Sequence, residues 1–319
     1  MKRNELRAML LEQPYDALVL TSEISRRYAT GFHSTAGAVY LSAKQAVFFT
    51  DFRYVEAARA AIKDFEVREI KAGQSYSALI NELLDEDGAK KVALEDKTLT
   101  YAEFMSWGTA LHATAVRLED GVEQLRMCKE EDEVEKIVAA QRIAEQALEE
   151  VLNDIKVGVT EKEIAARLTY LMLHYGAENM SFDPIVVSGA NSSKPHGVPG
   201  EKTIQAGDFV TMDFGCIYDG YCSDMTRTVA VGHVTDEMQT VYDTVLNAQL
   251  AGIAACKAGV TGREVDGAAR KTVLFGDRFP FRYLADDYGL SYYAAFSGCS
   301  AESEASFETV SFLAKKWTN

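Results

Sequence analysis

Basic charge is in short supply: 33 Lys and Arg stand against 48 Asp and Glu, a formal net charge of −15. So acidic a chain does not offer the basic surface that phosphate backbones require, which excludes nucleic acid as a partner and argues against anionic membranes. Long apolar runs are missing as well. After Lys2, Arg3 and Arg7 only Ala8-Met-Leu-Leu11 follows, too short for a signal segment, and no stretch approaches the span of a membrane helix. Cysteine is sparse and irregular. Cys128, Cys216, Cys222, Cys256 and Cys299 are odd in number and show no C-x-x-C spacing, so neither a disulfide framework nor a zinc knuckle is expected. Reduced thiols and a cytoplasmic location follow. With 47% apolar and 25% charged residues over 319 positions, the chain suits two globular domains.

The first part alternates helix-like and strand-like segments. Asn4–Glu12 and Tyr54–Lys63 read as helices, and Ala17–Leu20, Ala46–Thr50, Phe65–Ile70 and Lys91–Glu95 as strands. This alternation predicts an α/β domain over residues 1–124, ending in the polar stretch Leu118-Glu-Asp-Gly-Val-Glu123. A second domain, 125–319, opens with a long helix over about Glu131–Asp154, whose apolar residues recur at helical spacing. Thr160 and Glu163 then form a capping box for a helix running to about His174. The phrase Lys156-Val-Gly-Val-Thr-Glu-Lys-Glu returns as Lys257-Ala-Gly-Val-Thr-Gly-Arg-Glu, an offset of 101 residues, with Thr261 and Glu264 as its box. Duplication of a helix-plus-sheet half-domain is the better reading. Projected by that offset, Asp213 falls at Ala314 and Asp224 beyond residue 319, so a complete second hairpin is not expected.

The hairpin in question is Phe209–Thr228. Residues of β-branched and aromatic type flank Asp219-Gly220, a dipeptide suited to the positive φ angles of a type I′ turn. With those two as the loop, Tyr218 pairs with Tyr221 and Gly215 falls opposite Asp224. Asp213 then shares a face with Asp224 at the diagonal cross-strand distance of roughly 7–8 Å. Carboxylates so placed can share two divalent ions roughly 3.5–4 Å apart. The same spacing also suits two solvated carboxylates on an exposed hairpin. Thr211, Cys222, Thr226 and Thr228 share the aspartate face, while Val210, Met212, Phe214, Met225 and Val229 take the other. Arg227 falls among the apolar residues, either as a buried partner for a carboxylate or at a bulge. Cys216 and Cys222 fall on opposite faces, which disfavours a bridge between them.

Ser181-Phe-Asp-Pro-Ile-Val-Val-Ser-Gly189, Pro195-His-Gly197, Gly207-Asp-Phe-Val-Thr-Met-Asp-Phe-Gly215 and Gly220-Tyr-Cys-Ser-Asp-Met-Thr-Arg-Thr228 stand in the order seen in one family. The chain resembles the creatinase/aminopeptidase P/prolidase family of metallopeptidases over about residues 1–272, to Pro280 at most. Tyr28-Ala-Thr-Gly-Phe32 and Phe49-Thr-Asp-Phe-Arg-Tyr54 look like its N-terminal domain. The resemblance implies a mixed α/β (α+β) fold, a creatinase-like N-terminal domain followed by a pita-bread catalytic domain, here incomplete. It implies two divalent ions, Mn2+ before Co2+ or Zn2+, held by two aspartates, a histidine and two glutamates. Asp213 and Asp224 match the aspartates, Asp224 being the one that bridges both ions. His196 matches a catalytic histidine beside the metals that steadies the tetrahedral intermediate or shuttles a proton. The substrate implied is a peptide with proline at its second position, and a homodimer is expected. His33 sits in a loop that, in related dimers, can approach the partner's site; a surface role is the simpler reading. His112, His174 and His233 carry no motif.

After Lys271 the chain departs from that pattern. No histidine follows His233, and Glu302, Glu304 and Glu308 lack the neighbours of the family's glutamate ligands. Eleven of the 32 aromatic residues fall within the 47 positions 273–319. That enrichment points to a tail read in another frame or recombined, or to a divergent but real C-terminal half. Three functions stay open: a Xaa-Pro metallopeptidase (aminopeptidase P or prolidase-like dipeptidase) impaired by its missing ligands, a metal-free creatinase-type hydrolase, and a non-catalytic binding protein on the same scaffold.

Overall fold

Ala17, Leu18, Val19 and Leu20 are all fully buried, as an unbroken apolar run requires of a strand covered on both faces. This strand, β1 (Ala17–Leu20), lies inside a six-stranded sheet. The computed structural model describes residues 2–275 of the chain, which form two units, one ending at Cys128 and one beginning at Lys129. The first unit runs α1 (Lys2–Leu11), β1, α2 (Glu23–Thr30), β2 (Ala38–Ser42), β3 (Ala46–Thr50), α3 (Val55–Ala61), β4 (Glu66–Glu69), α4 (Tyr76–Asp87), β5 (Lys91–Leu94), α5 (Tyr101–Ala110), β6 (Thr114–Arg117) and α6 (Gly121–Met127). Its sheet order is β4-β3-β2-β1-β5-β6. The β1–β2 and β2–β3 pairs are antiparallel and the others parallel.

Side-chain alternation sorts this sheet into two cores. Leu18, Leu20, Val39, Leu41 and Phe48 pack with Leu6 and Leu10 of α1 and Val122 of α6. Ala17, Val19, Tyr40 and Phe49 pack with Ile80, Leu83 and Leu84 of α4. Leu118 and Val122 are buried in the first of these cores. The polar stretch 118–123 therefore leads through a short turn into a packed helix, and between 118 and 130 the chain is non-helical at 118–120 and at Cys128-Lys129-Glu130. Limited trypsin digestion is expected to cut first within 118–130, at Lys129, and to release two stable fragments. First cuts inside 131–154 would contradict this boundary.

The second unit begins with α7 (Glu131–Val151), whose first turn holds Glu131, Asp132 and Glu133, charges that suit a helix N-terminus. It continues through α8 (Glu161–His174), β7 (Asn179–Met180), β8 (Ile185–Ser188), a 3₁₀ turn (Gly189–Ser193), β9 (Phe209–Phe214), β10 (Cys216–Tyr218), β11 (Tyr221–Cys222), β12 (Met225–Ala230), α9 (Asp236–Ala255) and α10 (Gly262–Phe275). Strands β8, β9 and β12 form one antiparallel sheet with β9 in the middle; β7, β10 and β11 form a second. Val186, Val210, Met212, Phe214 and Met225 face Ala144, Leu148 and Val151 of α7 and Ile164, Leu168 and Leu171 of α8. On the opposite face, Phe209 packs with Val241 and Ala248 of α9 and Ala269 and Val273 of α10.

Both expected capping boxes are present, with Thr160 N donating to Glu163 (2.8 Å) and Thr261 N to Glu264 (2.7 Å). The 101-residue repeat has a structural counterpart: a helix of 21 residues then one of 14, and later a helix of 20 then one of 14. Among the described residues no helix is long and apolar enough to cross a membrane. Cys299, Glu302, Glu304, Glu308 and the aromatic-rich tail from Phe279 lie outside the described residues.

Candidate metal centre

Asp219 and Gly220 adopt φ of +44° and +80°, as a two-residue type I′ loop requires. The pairing Tyr218–Tyr221 and Ile217–Cys222 continues without slippage as Phe214–Met225 and Asp213–Thr226. Gly215 therefore stands opposite Asp224, and Asp213 one diagonal away on the same face. Thr226 Oγ1 donates to Asp213 Oδ1 at 2.9 Å, and Thr211 and Thr228 are hydrogen-bonded across the pair at 3.0 Å, so the polar face is the one the alternation predicts. Glycine is required at 215 by the close approach of Ser223 and Ser181. A Cβ there would lie 2.0 Å from Ser223 O and 2.6 Å from Ser181 Oγ.

Electrostatics ties the two aspartates together. Asp224 is pushed up to about 7, first by desolvation and then by the negative charge of Asp213. Its carboxylate keeps contact with water, but the surrounding protein still disfavours the charged form. Asp213 is also raised, by desolvation, against which the Thr226 hydrogen bond and the charge of His196 pull downward. His196 lies exposed in the turn after the 3₁₀ segment, within electrostatic range of Asp213. These three are brought together; the other described histidines are engaged elsewhere or carry no site. His33 pairs with Glu23 (2.7 Å) and His112 with Asp85 (2.9 Å), both in the first unit, and His174 stacks on Tyr170. Among the described residues no cluster of three or more His, Cys, Asp or Glu side chains is arranged to hold a metal ion.

The β9–β12 register is continuous through Arg227, so there is no bulge. Arg227 Nη1 donates to Thr226 O at 2.7 Å, and Nη2 is buried without a partner among the described residues. Burial lowers the guanidinium's pKa, and the negative charge of Glu145 opposes the shift. Cys216 is buried and Cys222 exposed, and both are free thiols. Sequence reasoning passed over Thr226 as the partner of Asp213, although the register alone puts the two opposite each other.

Residues 135–299 match the family model described as Metallopeptidase family M24, and residues 2–128 match Creatinase/Prolidase N-terminal domain. Uncharacterized peptidase YqhT of Bacillus subtilis strain 168 is 38% identical over 283 residues, 88% of this chain and 80% of its own length. The chain belongs to metallopeptidase family M24. Among solved structures it is similar to the Xaa-Pro dipeptidase from Bacillus anthracis, with TM-score 0.82 and 41% identity over 86% of this chain and 77% of that one. It is also similar to the X-Pro aminopeptidase from Thermotoga maritima MSB8, with TM-score 0.81 and 35% identity over 87% and 78%. The fold is thus a creatinase-type N-terminal domain followed by a pita-bread domain. The family match runs to residue 299, past the 272–280 interval where the resemblance in motifs fades.

Proposed function

We propose that this M24 metallopeptidase is of the Xaa-Pro-hydrolysing kind, cleaving the bond before a proline at the second position, and that the 319-residue chain is itself impaired. One observation carries the metal assignment. Asp213 on β9 and Asp224, which directly precedes β12, fall on one face by the register of that pair, and the negative charge of Asp213 raises the cost of charging Asp224. Uncompensated like charge of this kind is what a bound cation relieves, and an all-oxygen donor pair suits a hard ion such as Mn2+. Asp213 and Asp224 would hold the ions. Such ions supply Lewis-acid polarisation of the scissile carbonyl. His196, whose charge reaches Asp213, would hold or pass a proton near the reacting carbonyl. Thr226 fixes the Asp213 carboxylate through its 2.9 Å hydrogen bond. A cytoplasmic homodimer completes the proposal.

The single described pair of candidate ligands also favours a second reading, a binding protein on the same scaffold. Calorimetric titration with MnCl2 tests the metal assignment. Weak binding is expected, with dissociation constants of roughly 0.1–1 mM as for carboxylate sites short of ligands. It should be accompanied by proton release near pH 6.5, because Asp224 is partly protonated there. Asp213→Asn should abolish the heat. Absence of binding in the unmodified chain, or binding that survives Asp213→Asn, would sink the assignment.

A further inference from the structure

Glu161 is fully buried, although it is a carboxylate at the first position of α8. Buried carboxylates need a full set of donors, and this one has them. Its Oε1 accepts from Ser188 N (2.7 Å), Ser188 Oγ (2.9 Å) and Asn191 Nδ2 (3.1 Å). Its Oε2 accepts from Gly200 N (3.3 Å) and also lies 3.3 Å from Asn191 Nδ2. The backbone adds to the link, with Glu161 N donating to Lys202 O and Lys162 N to Gly200 O, both at 3.1 Å. Lys202 Nζ donates to Ser188 Oγ (2.7 Å) and pairs with Asp208 (2.9 Å), which brings a positive charge to the network.

These partners stand at the two ends of one loop. Ser188 and Asn191 open it, Gly200 and Lys202 close it, and His196 lies between them. Helix capping does not account for Glu161, because Thr160 and Glu163 already make the cap. The repeat makes the same point. At the 101-residue offset the capping box recurs as Thr261 and Glu264, but position 262 is glycine. The buried carboxylate belongs only to the half that carries the histidine loop.

We infer that Glu161 is a positioning residue, a clasp that closes the base of the 188–202 loop and so holds His196 beside Asp213. Its catalytic meaning rests on the proposed role of His196, but the clasp itself is read without metal or turnover. Removing the carboxylate leaves Ser188 N–H, Gly200 N–H and the Asn191 amide without their buried acceptor, and the loop must open for water to reach them. Gln at this position keeps the shape but turns an NH2 toward donors, so it should restore the clasp only in part.

Hydrogen exchange and histidine-ring NMR on the full chain test this, the His196 ring signal being assigned with His196→Gln. Glu161→Ala should speed amide exchange across 189–200 by about tenfold or more while α7 and β9 keep their protection. The His196 ring signal should shift as the ring leaves its place within reach of the Asp213 charge. Asn191→Ala should change both readouts in the same direction but less, and Glu161→Gln should fall between Glu161→Ala and the unmodified chain. If Glu161→Ala does not fold, Asn191→Ala carries the test by the same criteria. Unchanged exchange at 189–200 with an unmoved His196 signal would overturn the inference. So would acceleration spread evenly over the second unit, which would make Glu161 a contributor to global stability alone. Failure of the metal assignment leaves both readouts intact.

Discussion

Asp224→Asn should make the metal-free protein more stable at pH 8 and at the same time remove its response to manganese. The sign follows from the raised pKa. Asp224 titrates at about 7 in the folded chain against an ordinary 3.8, so the folded state holds its proton more tightly than the unfolded one. The resulting penalty is absent below about pH 4, where both states are protonated. It grows as pH rises toward 7 and is constant above that. The full shift would correspond to roughly 4 kcal/mol. Asp224 is in contact with solvent, however, and screening reduces the expected gain to about 1 kcal/mol. For a unit of this size that is a rise in Tm of about 2–4 °C. Thermal unfolding at pH 4 and pH 8, with and without MnCl2, measures it. The unmodified chain should gain stability with manganese concentration at pH 8 and the variant should not. A variant less stable than the parent at pH 8 without metal would show that Asp224 is held by contacts that favour its charged form.

The trade this implies, stability given up where charge is concentrated, was visible in the sequence because every step toward it is local. A two-residue turn, period-two alternation and an unbroken register are enough to bring Asp213 and Asp224 to one face, and Asp219 and Gly220 supply the turn. The capping boxes are equally local, each closing within three residues. The Glu161 network is not. Its partners lie 27 to 39 residues away, and no spacing rule connects a helix N-terminus to a loop across that distance. Nor did periodicity disclose α5, none of whose residues is fully buried and whose contact with the core rests on the half-buried pair Phe104 and Trp107, too short a stripe to read. Arg227 was legible as an anomaly but not in its resolution, since only the paired strand shows that no bulge relieves it. Family resemblance contributed the role of His196, which turn geometry alone does not assign.

The chain as it stands should hydrolyse Xaa-Pro substrates poorly or not at all. Asp213 and Asp224 are the only pair of the family's five expected ligands matched in this sequence, and no histidine follows His233. Two aspartates alone would leave each of two ions with too few protein ligands, and affinity would then fall toward that of simple carboxylate sites. Turnover of a Xaa-Pro dipeptide and of a Xaa-Pro tripeptide with added manganese should therefore lie at least about a thousandfold below that of a fully liganded relative. The two substrates also separate the dipeptidase and aminopeptidase readings if residual activity remains, since only the latter accepts the longer peptide. Robust turnover with two tightly bound ions per chain would reverse the conclusion. The missing ligands would then have to come from Glu302, Glu304 and Glu308 or from a second copy of the chain. Replacing each of those glutamates by glutamine would show which, since only a true ligand would take metal binding and turnover down together.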